Sequence, residues 1–271
     1  MSLAFVFACS PNRRISSSPD VASDITPYIS VIDNCLENMI VQTSGSIIHA
    51  VDSILTETVN DTVKMKSLTR HIFDKYFQPI DDDGDTKIMG MENVAVHIID
   101  NYYLTGKAGM DDKEYLNKII DYANKNRETL TGKQAKNLKM ETITGGAESL
   151  YDIDSPYILL CFFDASCAHC QHEIPEIYKI FKKFKNNGLA GFCVYARNDK
   201  NEWVQFVYKY KLTDWINVWD PTNVNDFRIA YSLYSVPQVY VLDKDRKIVG
   251  RRLESASLKQ FLNDLINNND K

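Results

Sequence analysis

Tyr157-Ile158-Leu159-Leu160-Cys161-Phe162-Phe163-Asp164-Ala165-Ser166-Cys167-Ala168-His169-Cys170 is the stretch on which the reading of the fold turns. Its first seven residues, Tyr157 to Phe163, form an unbroken apolar run. Such a run, bounded by turn residues, predicts a central strand buried on both faces. From about Ala168 to Lys185 the apolar residues recur at helical spacing, so Cys167 and Cys170 fall where a strand gives way to a helix. The first turn of a helix presents free backbone N–H groups and the positive end of the helix dipole, and both favour a thiolate. The thiolate is the reactive form of cysteine. Cys167 is therefore the expected nucleophile. Cys170, one helical turn on, is placed to resolve a mixed disulfide, and His169 between them would favour the thiolate further when protonated. Four side chains here, Cys167, His169, Cys170 and His172, also suggest a metal site, but no second C-x-x-C or H-x-x-x-H run completes one. No metal and no cofactor is expected beyond a redox-active disulfide between Cys167 and Cys170.

Working outward toward the C-terminus, Leu189 to Ala196 reads as a second strand, Asn201 to Tyr210 as a helix, Ile216 to Trp219 as a short strand and Val224 to Tyr231 as a helix. Gln238 to Leu242 and Lys247 to Arg251 suggest an antiparallel hairpin, and Ser257 to Asn267 a closing helix. Toward the N-terminus, Asn137 to Ile143 and Ser149 to Ile153 flank Gly145-Gly146 and suggest a further hairpin. Strands alternating with helices predict a mixed sheet with helices on both faces. Before Gly132 the pattern is helical. Apolar stripes run through Ile47, Val51, Ile54 and Leu55, through Leu68, Ile72, Phe73 and Tyr76, through Met91, Val94, Ala95, Ile98 and Tyr102, and through Tyr115, Leu116, Ile119, Ile120 and Ala123. Asp111 or Asp112 is the expected cap of the last of these helices.

The segment Phe162 to Cys170 resembles the active-site segment of the thioredoxin superfamily. Pro175, five residues after Cys170, is similar to the proline that kinks the active-site helix there, and Val236-Pro237 stands where the superfamily carries a cis-proline facing the dithiol. Within the superfamily, Cys170-Gln171-His172-Glu173-Ile174-Pro175 resembles the C-x-x-E-x-P run of TlpA/ResA-like envelope reductases. That resemblance implies a proton-handling role for Glu173 and a substrate-holding role for Pro237, with Val236 and His169 modulating the site. Residues 87–94 (KIMGMENV) and 102–107 (YYLTGK) resemble Bacteroidetes proteins that join a DUF5106 domain to a thioredoxin-like one. Three positions depart from the pattern. Cys161 replaces the buried acid of thioredoxin, Ser166 replaces the tryptophan before the first cysteine, and Asp164 stands where the peroxiredoxin signature P-x-x-x-T-x-x-C has threonine.

A chain of 271 residues with 44% apolar side chains can bury a core, and its net charge of −5 offers no basic face for nucleic acid. No apolar run approaches the roughly 20 residues of a membrane helix. Met1 to Cys9 (MSLAFVFAC) resembles the end of a lipoprotein signal with Cys9 as the lipidated residue, although it lacks a basic start. Asp81, Asp83, Asp85 and Glu92 match positions one, three, five and twelve of a calcium loop, but Thr86 occupies the position that needs glycine. His49, His71 and His97 read as residues at the edge of helical cores, and Trp203, Trp215 and Trp219 as packing residues of the second domain.

These readings predict an α/β thioredoxin-like fold, with a mixed sheet flanked by helices and an N-terminal β-hairpin, preceded by a small all-α domain. The expected divisions are 1–23 for a signal and linker, 24–131 for the helical domain and 132–271 for the thioredoxin-like domain. The expected function is thiol-disulfide exchange with protein substrates in the bacterial cell envelope, as a reductase recharged by a membrane thiol donor. The membrane would be touched only through a lipid on Cys9, and no nucleic acid is expected as a partner. The alternative is a thioredoxin-fold binding module without turnover, suggested by Ser166 and Cys161.

Overall fold

The seven-residue apolar run does form the central strand. In the structure, a computed structural model describing residues 26–37, 43–77 and 90–267, the chain divides into two compact units between Arg127 and Glu128.

The first unit is helical. Its elements are α1 (Thr26–Glu37), α2 (Ser44–Thr56), α3 (Thr62–Tyr76), α4 (Glu92–Ile98) and α5 (Lys113–Asn126). The stripes read from the sequence are its buried faces: Val51, Leu55, Ile72, Phe73, Ile98 and Ile119 have essentially no exposure. Capping explains several starts. Thr43 accepts the Ser46 N–H ahead of α2, Asp61 the Lys64 N–H ahead of α3, and Asp112 the Tyr115 N–H ahead of α5. After α4 the helix widens into a π turn over Ile99–Tyr103, where the Leu104 N–H reaches back to the Ile99 carbonyl. The extra residue per turn brings both Tyr102 and Tyr103 into the interior, whereas the sequence periodicity placed only Tyr102 there. His71 bonds Asp33 (3.0 Å) and His97 bonds Asp52 (2.7 Å), so each has a carboxylate partner at the edge of the helical core. Among the described residues no group of three or more metal-ligating side chains comes together, and no helix is long and apolar enough to cross a membrane. Cys9 with its apolar leader and the acidic residues Asp81 to Asp85 lie outside the described residues.

The second unit is a seven-stranded mixed sheet. Its strands are β1 (Lys139–Thr142), β2 (Ala147–Ser149), β3 (Tyr157–Phe163), β4 (Leu189–Tyr195), β5 (Ile216–Trp219), β6 (Gln238–Leu242) and β7 (Ile248–Arg251), in the order β2-β1-β5-β4-β3-β6-β7. β3, β4 and β5 are mutually parallel, and the outer strands pair antiparallel. The helices are α6 (Ala168–Phe184), α7 (Lys200–Lys209), α8 (Phe227–Ala230) and α9 (Ser255–Asn267). One core, on one face of the sheet, gathers Leu138, Leu150, Ile158, Leu160, Phe162, Phe192, Val194, Tyr231 and Tyr240. The opposite side chains of β3 and β4 belong to the α6 side, where Trp215 packs edge-to-face against Tyr178 and Phe181 of that helix. Trp203, Trp215 and Trp219 are all buried in this unit.

Two elements differ from their sequence reading. The first hairpin turns tightly, with the Thr142 N–H bonded to the Gly146 carbonyl, so its return strand is Ala147–Ser149 rather than Ser149 to Ile153. Asn137 then takes the Tyr151 N–H with its side chain, and residues Leu150–Asp152 coil into a 3-10 turn. The helix expected from Val224 shrinks to Phe227–Ala230, because the buried Asp220 carboxylate accepts the N–H groups of Val224 (3.1 Å) and Asn225 (2.7 Å). Those donors are held in a turn and cannot join a helix.

Candidate active site

The end of β3 and the start of α6 are welded together by Asp164. Its side chain, buried to 4% exposure, accepts the Ser166 N–H (2.9 Å) and the Ser166 hydroxyl (2.7 Å), an Asx turn closed twice. Its other carboxylate oxygen accepts Nε of Arg197 at 2.6 Å. Burial raises the Asp164 carboxyl, but Arg197 and Ser166 outweigh it and hold the group below its ordinary value. The Asp164 carbonyl accepts the Cys167 N–H, and Gln171 ties back to the Ala165 carbonyl (2.9 Å). Backbone groups of Asp164, Ala165, Ser166 and Cys167 are thus engaged locally, which fixes where Cys167 points.

Cys167 is the N-cap residue of α6, in extended backbone (φ −75°, ψ 121°), and its carbonyl accepts the first helical bond, from Gln171. Its half-buried sulfur stands where a serine or aspartate oxygen would normally cap a helix. Sγ lies 3.7 Å from the Val236 carbonyl oxygen, and the Val236–Pro237 peptide bond is cis. Cys170, in the first turn, is completely buried. Burial pushes its thiol well above the ordinary range, and the Cys167 and Cys161 sulfurs add to this, while a hydrogen bond from the Asp164 backbone pulls the other way. The two sulfurs are therefore chemically unlike. One is reachable from solvent, and the other is held protonated behind it.

The remaining residues singled out from the sequence fall in two places. The Val236 carbonyl stands beside Cys167 Sγ, and the cis bond joins it to Pro237. His169 is exposed in the first turn of α6, and its charge acts on Glu173. Glu173 is not a solvated carboxylate: it is 7% exposed, and its Oε2 accepts the Ser255 N–H (3.0 Å) at the start of α9. Its Oε1 lies 3.2 Å from Nδ1 of His172. Burial raises its carboxyl, yet the bonds from Ser255 and His172 prevail and keep it below the ordinary carboxylate range. Glu173 thus binds α6 to the N-terminus of α9, with both oxygens engaged.

Asp164 and Arg197 were not named as site residues from the sequence. The Asp-x-Ser spacing of an Asx turn signals the first. Nothing local signals the second, which arrives from the β4–α7 loop 33 residues away. That loop and Ser166 line a shallow cavity of about 580 Å³ beside Cys167, with Arg197, Asn198, Asp199, Lys200 and Glu202 on its walls. On the other side, the segment leading to Pro237 exposes Ile229 and Tyr234.

Residues 131–251 match the AhpC/TSA family. No curated protein matches the chain. Among solved structures, a domain of a possible thiol-disulfide isomerase from Cytophaga hutchinsonii is 37% identical over 50% of this chain and 92% of its own, with a TM-score of 0.48. The thioredoxin domain of a thiol-disulfide oxidoreductase from Bacteroides vulgatus is 25% identical over 50% of this chain and 97% of its own, with a TM-score of 0.47. A thioredoxin-like protein from Bacteroides caccae is 15% identical, covers 88% of this chain and 80% of its own, and has a TM-score of 0.58, a likeness of fold. The C-terminal unit thus has a thioredoxin-like fold, and within it residues 131–251 are similar to the AhpC/TSA family.

Proposed function

We propose that the protein is a thiol-disulfide oxidoreductase that exchanges disulfides with protein substrates through Cys167 and Cys170. The observation that carries this reading is the asymmetry of the pair: an accessible sulfur at a helix N-cap, and a fully buried one a single turn later. Cys167, as thiolate, attacks one sulfur of a substrate disulfide, and the other substrate sulfur leaves as a thiolate and takes a proton. Cys170 then attacks the Cys167 sulfur, and the Cys167–substrate bond breaks. The substrate leaves with two thiols and the protein with a Cys167–Cys170 disulfide. The Val236 carbonyl and Pro237 border the attacking sulfur and offer a substrate backbone its nearest polar partner. Glu173, bonded to Ser255, serves this site by fixing α6 rather than by carrying a proton, and in this the reading departs from what the TlpA/ResA resemblance implies.

The direction we propose is reduction, in the cell envelope, with a membrane thiol donor restoring the dithiol and a lipid on Cys9 holding the protein there. The organisation as a helical recognition or spacer domain, of DUF5106 kind, followed by the exchanging domain is part of the same proposal.

The test is the reduction potential of the Cys167/Cys170 couple, measured by equilibration with glutathione and thiol trapping. A value near that of thioredoxin, about −270 mV, supports a reductase, and one near about −120 mV an oxidant. The absence of any reversible couple would leave a binding module without turnover.

A further inference from the structure

Two cysteines that the proposed reaction does not use lie directly behind the two that it does. Cys161 in β3 and Cys193 in β4 are register partners in the parallel ladder, and both have zero exposure and are free thiols. Their neighbours Leu160, Phe162, Phe192 and Val194 point into the core on one face of the sheet. Strand alternation therefore turns Cys161 and Cys193 together to the opposite face, the one covered by α6. That is the helix whose first turn carries the buried Cys170. Registered strands run about 4.8 Å apart, inside the range of about 4.4–6.8 Å between the Cα atoms of a disulfide. The thiols also act on one another. Burial first, then the hydrogen-bonded Cys161 side chain and the fields of Cys161 and Cys170, raise the Cys193 thiol, and Cys161 contributes to raising Cys170. Neither Cys161 nor Cys193 has any exposed surface, which leaves a neighbouring sulfur as the route by which an oxidising equivalent would come to them.

We infer that Cys161 and Cys193 form a second, interior redox pair that takes over the disulfide from Cys167 and Cys170 by internal exchange. This rests on the proposed reactivity of the outer pair. The Cys161 thiolate attacks Cys170 Sγ in the oxidised outer pair, the Cys167–Cys170 bond breaks, and Cys167 leaves as a thiolate. Cys193 then attacks Cys161 Sγ, the Cys161–Cys170 bond breaks, and Cys170 leaves. The protons given up by Cys161 and Cys193 are taken by Cys167 and Cys170. One disulfide and two thiols become one disulfide and two thiols, so no further oxidant enters. The outer pair is returned reduced, able to meet a second substrate disulfide before any donor acts. Because burial disfavours the Cys193 thiolate, which makes the second attack, the transfer is slow and the inner link forms after the outer one.

The experiment oxidises reduced full-length protein with diamide for graded times. It then quenches in acid, alkylates under denaturing conditions, and locates disulfide-linked peptides by mass spectrometry with fragmentation. The expected result is an early Cys167–Cys170 link followed by a Cys161–Cys193 link. In Cys170→Ala, shown folded by circular dichroism, the inner link is expected to fall at least tenfold. An inner link undiminished in Cys170→Ala would overturn the transfer, since the oxidant would then be reaching the pair directly. An outer link with no inner link in the wild type would overturn the inference and leave the proposed function standing. Failure of both links would overturn both. Cys193→Ala is the second variant: it should retain the outer link and trap a Cys161–Cys170 link at late times, and a late outer link alone would count against the exchange.

Discussion

At the scale of single residues, the site is built on a difference between two identical side chains. Cys167 caps a helix in view of solvent, and Cys170 is sealed beneath it. Removing the buried one should stall the reaction halfway. Cys170→Ser is expected to accumulate a covalent adduct between Cys167 and a disulfide-bearing peptide that the wild type resolves, seen as a mass increase of one peptide chain on the intact protein. The place of the pair was legible in the sequence, because the C-x-x-C run follows an apolar run and opens a helical pattern, whereas the complete burial of Cys170 was not. The clamp that orients it was only half legible. Asp164 was visible as a departure at a recognisable position, whereas its role comes from Arg197, which reaches it from another loop. A contact between distant residues leaves no local periodicity to read.

At the scale of elements, sheet and helices are fixed to one another at a few costly points. Gly191 in β4 is one. A Cβ there would lie 2.0 Å from Cδ1 of Trp215, itself wedged against Tyr178 and Phe181. Gly191→Ala is expected to lower the urea midpoint by at least the equivalent of about 1–3 kcal/mol, the usual cost of overpacking a close-packed site. Glu173 is another. Its folded carboxyl lies below the ordinary value of 4.5, so its contribution is present above that pH and is lost as pH falls through the lower folded value. Glu173→Gln should therefore cost about 1 kcal/mol at pH 7, through the weakened hold on the α9 N-terminus. The difference from wild type should shrink progressively as the pH falls below 4.5, as measured by urea unfolding across a pH series. The helical stripes and most strands were legible from their periodicity. The second arm of the hairpin and the helix after Val224 were not, because Asn137 and Asp220 take backbone donors that the pattern assigned to regular structure. Side chains that compete for backbone N–H groups are poorly reported by hydrophobic spacing.

At the scale of the molecule, the two units have separate cores, and the AhpC/TSA match begins at residue 131 and ends at 251, within the second. Residues 128–271 are therefore expected to fold alone, with a cooperative urea transition and the same Cys167/Cys170 potential as the full chain. A broad, non-cooperative transition would show that the second unit depends on the first.

The start of that second unit has one more consequence. Before entering β1, the chain lies along β7: the Gly132 N–H bonds the Ile248 carbonyl, the Ile248 N–H bonds the Lys133 carbonyl, and the Ala135 N–H bonds the Arg246 carbonyl. A bare outer strand is a template on which other chains stack into aggregates. Here four residues at the start of the second unit, too irregular to count as a strand, blunt that template, so this leading segment also guards the edge of its own sheet against self-association.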